Sequence, residues 1–67
     1  MEESVWVNGT ATDVAGKSVA ELVRAFSDKQ TGIAVAVNQS VLTRAEWAAT
    51  TVKPGDRVEI VSAVQGG

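Results

Sequence analysis

The 67-residue sequence contains no cysteine and no histidine. Disulfide bridges, thiolate chemistry and the commonest metal ligands are therefore excluded. Aromatic residues are also few, and the six basic residues are scattered along the chain without aromatic residues between them. This composition argues against nucleic-acid binding.

Long apolar runs are missing as well. The longest uncharged stretch, residues 30–43, contains glycine, asparagine, glutamine, serine and threonine, so it is unsuited to cross a membrane. The first residues, Met1-Glu2-Glu3, are acidic where a signal peptide is basic. We therefore expect a soluble, cytoplasmic protein.

The residues that are present suit one small domain. Hydrophobic residues make up 45% of the chain and the net charge is −2, a composition that favours a packed core over disorder. A chain of this length buries only about 60% of its unfolded surface. A deep, self-contained active site is therefore unexpected, and we predict a protein that is not itself an enzyme.

The first half of the chain predicts a hairpin followed by a helix. Alternation around Trp6 and the pair Asn8-Gly9 indicate two strands joined by a primed turn, the second strand running over residues 10–14. Ser18 and Glu21 then form a capping box, where the period changes to about 3.6 residues. One apolar stripe follows, with stop signals at Lys29 and Gly32; it consists of Val19, Leu22, Val23 and Phe26.

The second half predicts two more strands and a short helix between them. Residues 33–37 form a strand, Asn38-Gln39 a turn, and Val41-Leu42 the start of a short return strand. A second capping box, Thr43 to Glu46, opens one or two helical turns carrying Trp47, which we assign to packing. Arg44 there is interpreted as solvated or as paired with Glu46 or with a partner's carboxylate. Finally, Pro54-Gly55 suits a type II turn before a last strand over residues 57–64.

This order of elements, strand-strand-helix-strand-short helix-strand, predicts a two-layer α+β domain. The arrangement that fits it is the ubiquitin-like β-grasp, in which the first and last strands pair in parallel at the centre of the sheet. That pairing follows from analogy between folds and not from the pattern itself. We predict a β-grasp domain over residues 1–64 and a flexible C-terminal tail over residues 65–67.

The pair Gly66-Gly67 stands at the end of the sequence. Glycine lacks a Cβ, so the pair predicts a thin stalk that carries one carboxylate into a narrow tunnel. Fraying is the alternative interpretation of such a pair taken alone.

Several motifs together resemble the ThiS family, the small sulfur carriers of thiamin (thiazole) biosynthesis. They are Ala34-Val35-Ala36-Val37-Asn38, Arg44-Ala45-Glu46-Trp47, Gly55-Asp56 and Gly66-Gly67. The similarity covers essentially the whole chain. One departure is Thr43, where members of the family often have proline before the arginine.

The resemblance implies a specific chemistry for the tail. A ThiF-like adenylyltransferase uses ATP to adenylate the carboxylate of Gly67, with Gly66 and Gln65 as its stem. Sulfur from a persulfide, generated by a cysteine desulfurase, then replaces AMP and leaves a thiocarboxylate, a C-terminal 1-thioglycine. A ThiG-like thiazole synthase accepts the sulfur. The carrier itself is expected to bind no cofactor and no metal.

Alternation along the strands also predicts a partner-binding face opposite the helix. If the valines and isoleucines of the strands face the helix, the other side of the sheet carries small and apolar residues, which often mark docking surfaces. The predicted contact residues are Trp6, Ala34, Ala36, Val61 and Ala63; Glu59 lies on the same face.

Three other functions remain open on the sequence. The small subunit of molybdopterin synthase is also a β-grasp sulfur carrier that ends in Gly-Gly. A ubiquitin-like modifier would join Gly67 to lysines on target proteins. A plain binding module would use the sheet face and ignore the tail.

Overall fold

The computed structural model of the protein describes residues 4–26 and 32–62. Five strands, one α-helix and one turn of 3₁₀ helix make up this part of the chain. They are β1 (Val5–Val7), β2 (Thr10–Thr12), α1 (Val19–Phe26), β3 (Ile33–Val37), β4 (Ser40–Leu42), the 3₁₀ helix (Arg44–Glu46) and β5 (Arg57–Ser62).

The five strands form one mixed sheet in the order β2-β1-β5-β3-β4. The two hairpins, β1–β2 and β3–β4, are antiparallel and lie on either side of β5. β5 pairs in parallel with β1, at Trp6–Arg57 and Val7–Val58, and antiparallel with β3. The first and last strands are therefore central and parallel, which confirms the predicted β-grasp arrangement.

Both hairpins turn through residues in the left-handed region. Asn8 and Gly9 have φ values of 52° and 83°, and Asn38 and Gln39 have values of 51° and 73°. Positive φ at both central residues defines the primed turn whose twist matches that of the strands. β2 ends at Thr12 and not at Val14 as predicted, because the Val14 N–H turns back to the Thr12 carbonyl at 3.0 Å.

Helix α1 begins with the predicted capping box. The Glu21 N–H donates to Ser18 Oγ at 3.2 Å, and the Ser18 N–H donates to Glu21 Oε1 at 3.0 Å. The next free amides, those of Val19 and Ala20, donate to backbone carbonyls of Thr50 and Trp47. The segment after the 3₁₀ helix thus completes the cap and ties α1 to the rest of the domain.

The prediction that Phe26 joins the buried stripe is wrong. Val19, Leu22 and Val23 are buried, but Phe26, the last residue of α1, is 44% exposed. It lies beyond the end of the core, because neither the buried cluster nor the half-buried residues packed on it include Phe26. The predicted stop signal Gly32 has a φ of 72°, whereas Lys29 lies outside the described residues.

The predicted second capping box opens a single turn of 3₁₀ helix. Glu46 Oε1 accepts the Thr43 N–H at 2.7 Å, so a threonine serves where proline is frequent in the resembled family. Further on, Gly55 has a φ of 92° and the Asp56 N–H donates to the Lys53 carbonyl at 3.0 Å, as a type II turn requires.

The core lies between α1 and one face of the sheet. It is built mainly of valines, which suit strands because their branched side chains pack well on a pleated surface. Its buried members are Val5, Val19, Leu22, Val23, Val35, Trp47, Val52, Val58 and Ile60. Across residues 4–26 and 32–62, no helix has the length and apolar character needed to span a membrane.

Candidate functional site

The face of the sheet that points away from α1 carries a set of exposed and half-buried side chains. We call this set the outer face; it comprises Trp6, Ala34, Ala36, Val41, Glu59 and Val61. Along β5 the side chains of Val58 and Ile60 are buried, whereas those of Glu59 and Val61 between and after them are exposed. The alternation predicted from the sequence is confirmed here, with no bulge that reverses it.

Cross-strand pairing brings the apolar members of the outer face together. Ala34 pairs with Val61, and Ala36 lies between Val41 on β4 and Glu59 on β5. These five side chains line a shallow depression of about 150 Å³. Because two of the five are alanines, the depression is open and flat, a shape suited to receive a partner's side chains.

Val41 is the member of the outer face that the sequence analysis did not assign. It is 78% exposed, more than any other large hydrophobic residue in the described part of the chain. The signal was present, since a two-residue turn at Asn38-Gln39 fixes the register and places Val41 opposite Ala36.

On the outer face, at the edge where β5 meets β1, an aromatic residue lies next to charged ones. Trp6 is 40% exposed and, with Arg57, Glu59 and Gly9, lines a second depression of about 320 Å³. An exposed indole flanked by charges of both signs resembles the anchor and polar rim of a protein interface. The outer face therefore has an apolar centre on β3–β5 and a mixed aromatic and charged margin on β1.

Trp47 belongs to the core, as predicted. It is buried, and among the described residues its indole nitrogen has no hydrogen-bond partner, so packing holds it in place. The guanidinium of Arg44 lies 5.8 Å from the centroid of its ring. At that distance the cation is attracted by the face of the indole. Arg44 thus covers Trp47, an arrangement that the sequence interpretation did not include.

The described residues contain no cluster of buried polar or acidic side chains. No polar or charged side chain in residues 4–26 and 32–62 is buried, and no three acidic residues there are grouped to hold a metal ion. What this part of the chain presents is an exposed, largely apolar sheet face. The predicted tail, Gly67 with Gly66 and Gln65, lies outside the described residues, and so does Ala63 of the predicted face.

The fold and the exposed sheet define the class: a ubiquitin-like β-grasp protein. Comparisons with known proteins narrow it. The model of the ThiS family matches residues 5–67. The chain is 36% identical over 53 residues to the sulfur carrier protein ThiS of Escherichia coli, covering 79% of this chain and 80% of that protein. It is 32% identical over 63 residues to the sulfur carrier protein ThiS of Thermus thermophilus, covering 94% of this chain and 98% of that protein.

A solved structure agrees with these matches. The thiamine biosynthesis protein ThiS from Geobacter metallireducens superposes with a TM-score of 0.76 at 37% identity, over 96% of this chain and 99% of that one. This chain belongs to the ThiS family of sulfur carrier proteins of thiamin biosynthesis. The resemblance identified from the sequence motifs is confirmed.

Proposed function

We propose that this carrier bears its sulfur on the carboxylate of Gly67, as a thiocarboxylate used to build the thiazole of thiamin. The observation that carries the proposal is the family match, which extends through Gly66 and Gly67. The composition supports it, because a chain without cysteine has no thiol on which to hold sulfur as a persulfide.

The chemistry requires activation before sulfur can be attached. A carboxylate is a poor acceptor because its leaving group is an oxide. In the proposed sequence, a carboxylate oxygen of Gly67 attacks the α-phosphorus of ATP and pyrophosphate leaves, which gives an acyl adenylate. A persulfide sulfur then attacks the carbonyl carbon and AMP leaves. A second thiol cleaves the resulting sulfur–sulfur bond, forms a disulfide with the donor, and frees the thiocarboxylate.

The residues of this chain contribute position and not catalysis. Gly66 and Gly67 form a stalk narrow enough to enter a partner's active site, and Gln65 joins it to the domain. The ATP site belongs to a ThiF-like adenylyltransferase, the persulfide comes from a cysteine desulfurase, and a ThiG-like thiazole synthase accepts the sulfur. The carrier binds no cofactor of its own.

The outer face is the proposed docking surface for the adenylyltransferase. Its support is the exposure of Trp6, Val41 and Val61 around small residues, on a face that α1 leaves uncovered. Docking there would hold the domain while the tail reaches the ATP site. Ala34 and Ala36 permit close approach of the partner, and Ala63 is proposed to extend the same surface.

The intact mass of the protein tests the proposal. The carrier is incubated with ATP, an adenylyltransferase of the ThiF type and a persulfide donor, and we expect one terminal oxygen to be replaced by sulfur. Omission of ATP should abolish the change. A protein whose mass never changes, although a known carrier is loaded in the same mixture, would contradict the proposed function.

Gly67→Ala localises the reaction to the tail. A methyl group on the last residue would crowd a tunnel shaped for glycine, so sulfur loading should fall at least tenfold, a loss of about 1.4 kcal/mol or more in transition-state stabilisation. Thr10→Ala, on the exposed edge strand β2, serves as the matched control and should load normally. Loading of Gly67→Ala at the wild-type rate would refute the assignment of Gly67.

A further inference from the structure

Two asparagines hold the central strand β5 through their side chains. Asn8 and Asn38 each open a hairpin turn in the left-handed region. Asn8 lies on the β1 side of β5 and bonds to Ile60, and Asn38 lies on the β3 side and bonds to Arg57. The same device therefore occurs on both sides of the strand that leads to the tail.

Asn38 fixes the beginning of β5. Its N–H donates to the Arg57 carbonyl at 2.7 Å, and the Arg57 N–H donates to Asn38 Oδ1 at 3.0 Å. In a regular antiparallel ladder the second bond goes to a backbone carbonyl. Here the side-chain oxygen takes that place. Asn38 Nδ2 also donates to Asp56 Oδ1 at 3.1 Å, which holds the turn before β5.

Asn8 extends the parallel ladder beyond the end of β1. Its N–H donates to the Val58 carbonyl at 2.8 Å. Its side chain then makes the next rung alone: the Ile60 N–H donates to Asn8 Oδ1 at 2.8 Å, and Asn8 Nδ2 donates to the Ile60 carbonyl at 3.0 Å. One carboxamide thus pairs with both backbone groups of Ile60, in place of the two peptide groups that a longer β1 would offer.

The register shows why Ile60 depends on this pairing. The bond from Asn38 to Arg57 makes Val37–Val58, Val35–Ile60 and Ile33–Ser62 the non-hydrogen-bonded pairs of the β3–β5 ladder. The N–H and C=O of Ile60 therefore point away from β3 and toward β1. Since Ile60 is only 2% exposed, water is a poor substitute for the side chain of Asn8.

Ile60 is also the last described residue of β5 whose backbone is bonded toward β1. Within residues 4–26 and 32–62, Val61 and Ser62 pair with β3, whereas the β1–β5 pairs stop at Val58 and the Asn8 side chain reaches Ile60. Ile60 is therefore the last anchor of β5 on its β1 side, and we call it the root of the tail.

We propose that Asn8 is a positioning residue for sulfur loading, which acts by fixing the root of the tail at Ile60. The inference rests on the proposed function of Gly67. If the root is loosened, the carboxylate explores a larger volume and arrives less often in the orientation that reaction needs. Asn8 lines neither of the two depressions on the outer face, the proposed docking surface. Its loss should therefore lower the rate in the bound complex and not the affinity.

The test compares Asn8→Gly with Asn38→Gly. Glycine retains the left-handed turn in both variants and removes only the carboxamide. In Asn8→Gly, hydrogen exchange of the Ile60 amide should accelerate roughly tenfold to a hundredfold relative to wild type. Pyrophosphate release with ATP and a ThiF-type adenylyltransferase, at saturating carrier, should slow by roughly tenfold with KM unchanged. Asn38→Gly should leave both the Ile60 amide and the rate within about twofold of wild type.

The other outcomes overturn the proposal in distinguishable ways. Equal slowing of both variants would mean that general stability, and not the root of the tail, controls the rate. A wild-type rate in Asn8→Gly, despite faster Ile60 exchange, would remove the positioning role and leave the proposed function intact. If Asn8→Gly melts below the assay temperature, Asn8→Asp decides, because it keeps the acceptor for the Ile60 N–H and loses the donor to the Ile60 carbonyl. A rate that does not follow the exchange of the Ile60 amide in this variant, in either direction, contradicts the proposal. Failure of wild type to be adenylated overturns both proposals.

Discussion

The two faces of the sheet are both rich in small aliphatic residues, but they differ in burial. The inner face presents Val35, Val58 and Ile60 to α1 and is buried, whereas the outer face presents alanines and valines to solvent. Burial of apolar surface stabilises the fold in the first case. In the second, the apolar surface stays exposed, as docking surfaces often do, and we propose that it serves recognition. Adjacent residues of one strand therefore differ in role, although hydropathy alone would class them together.

The largest expected difference in stability is between substitutions of the neighbours Ile60 and Val61. Ile60→Ala should destabilise the domain by about 2–5 kcal/mol, because it leaves a cavity beneath α1. Val61→Ala, one residue away and 57% exposed, should change stability by no more than about 0.5 kcal/mol. Urea denaturation of the two variants measures the difference. Equal losses would mean that the outer face also contributes to folding.

A charge on the outer face should break recognition and spare the fold. Ala34→Glu would place a carboxylate beside Val61, near Glu59, so binding of the adenylyltransferase should weaken roughly tenfold to a hundredfold. Ala25→Glu is the matched control, since Ala25 is an exposed alanine of α1. Titration calorimetry with both variants decides the point; identical affinities would remove the outer face from docking.

The helix cap should affect the inner layer alone. Ser18→Ala removes the acceptor for the Glu21 N–H and should cost about 1 kcal/mol of stability. Because α1 covers only the inner face, the affinity for the partner should not change below the melting temperature. Thermal unfolding and partner titration of the same variant separate the two properties, and a drop in affinity would show that the two layers are coupled.

The smallest expected loss of stability comes from Arg44, which covers Trp47 at the edge of the core. Arg44→Ala removes the cation over Trp47 and should cost about 0.5–1 kcal/mol. Arg24→Ala, at an exposed position of α1, should cost less. Chemical denaturation of both variants provides the comparison, and a larger loss for Arg24→Ala would contradict the stacking interpretation.

Local chemistry made much of this fold predictable from sequence. The Asn8-Gly9 turn, the capping box at Ser18 and the alternation along β5 depend on residues close together in the chain, and each is confirmed. The outer face followed from the same alternation. Val41 could also have been predicted as a member of the outer face, because the register of a two-residue turn specifies which residues oppose each other.

Features that depend on distant residues were not predictable in the same way. The exposure of Phe26 depends on where the core ends and not on the helical stripe that contains it. The parallel pairing of β1 with β5 was inferred only by analogy with a known fold. The bonds from Asn8 to Ile60 join residues 52 positions apart, and no local sequence pattern predicts them.

The central position of β5 has a consequence for how the protein is made. During synthesis β1, α1 and β3 all precede β5, so a growing chain has a gap in the middle of its sheet until residues 57–62 are added. Contacts between such distant segments form slowly and late. The outer face spans β3 and β5 and therefore exists only in chains completed through this strand. A partner that docks on the outer face would therefore not recognise chains that stop before β5.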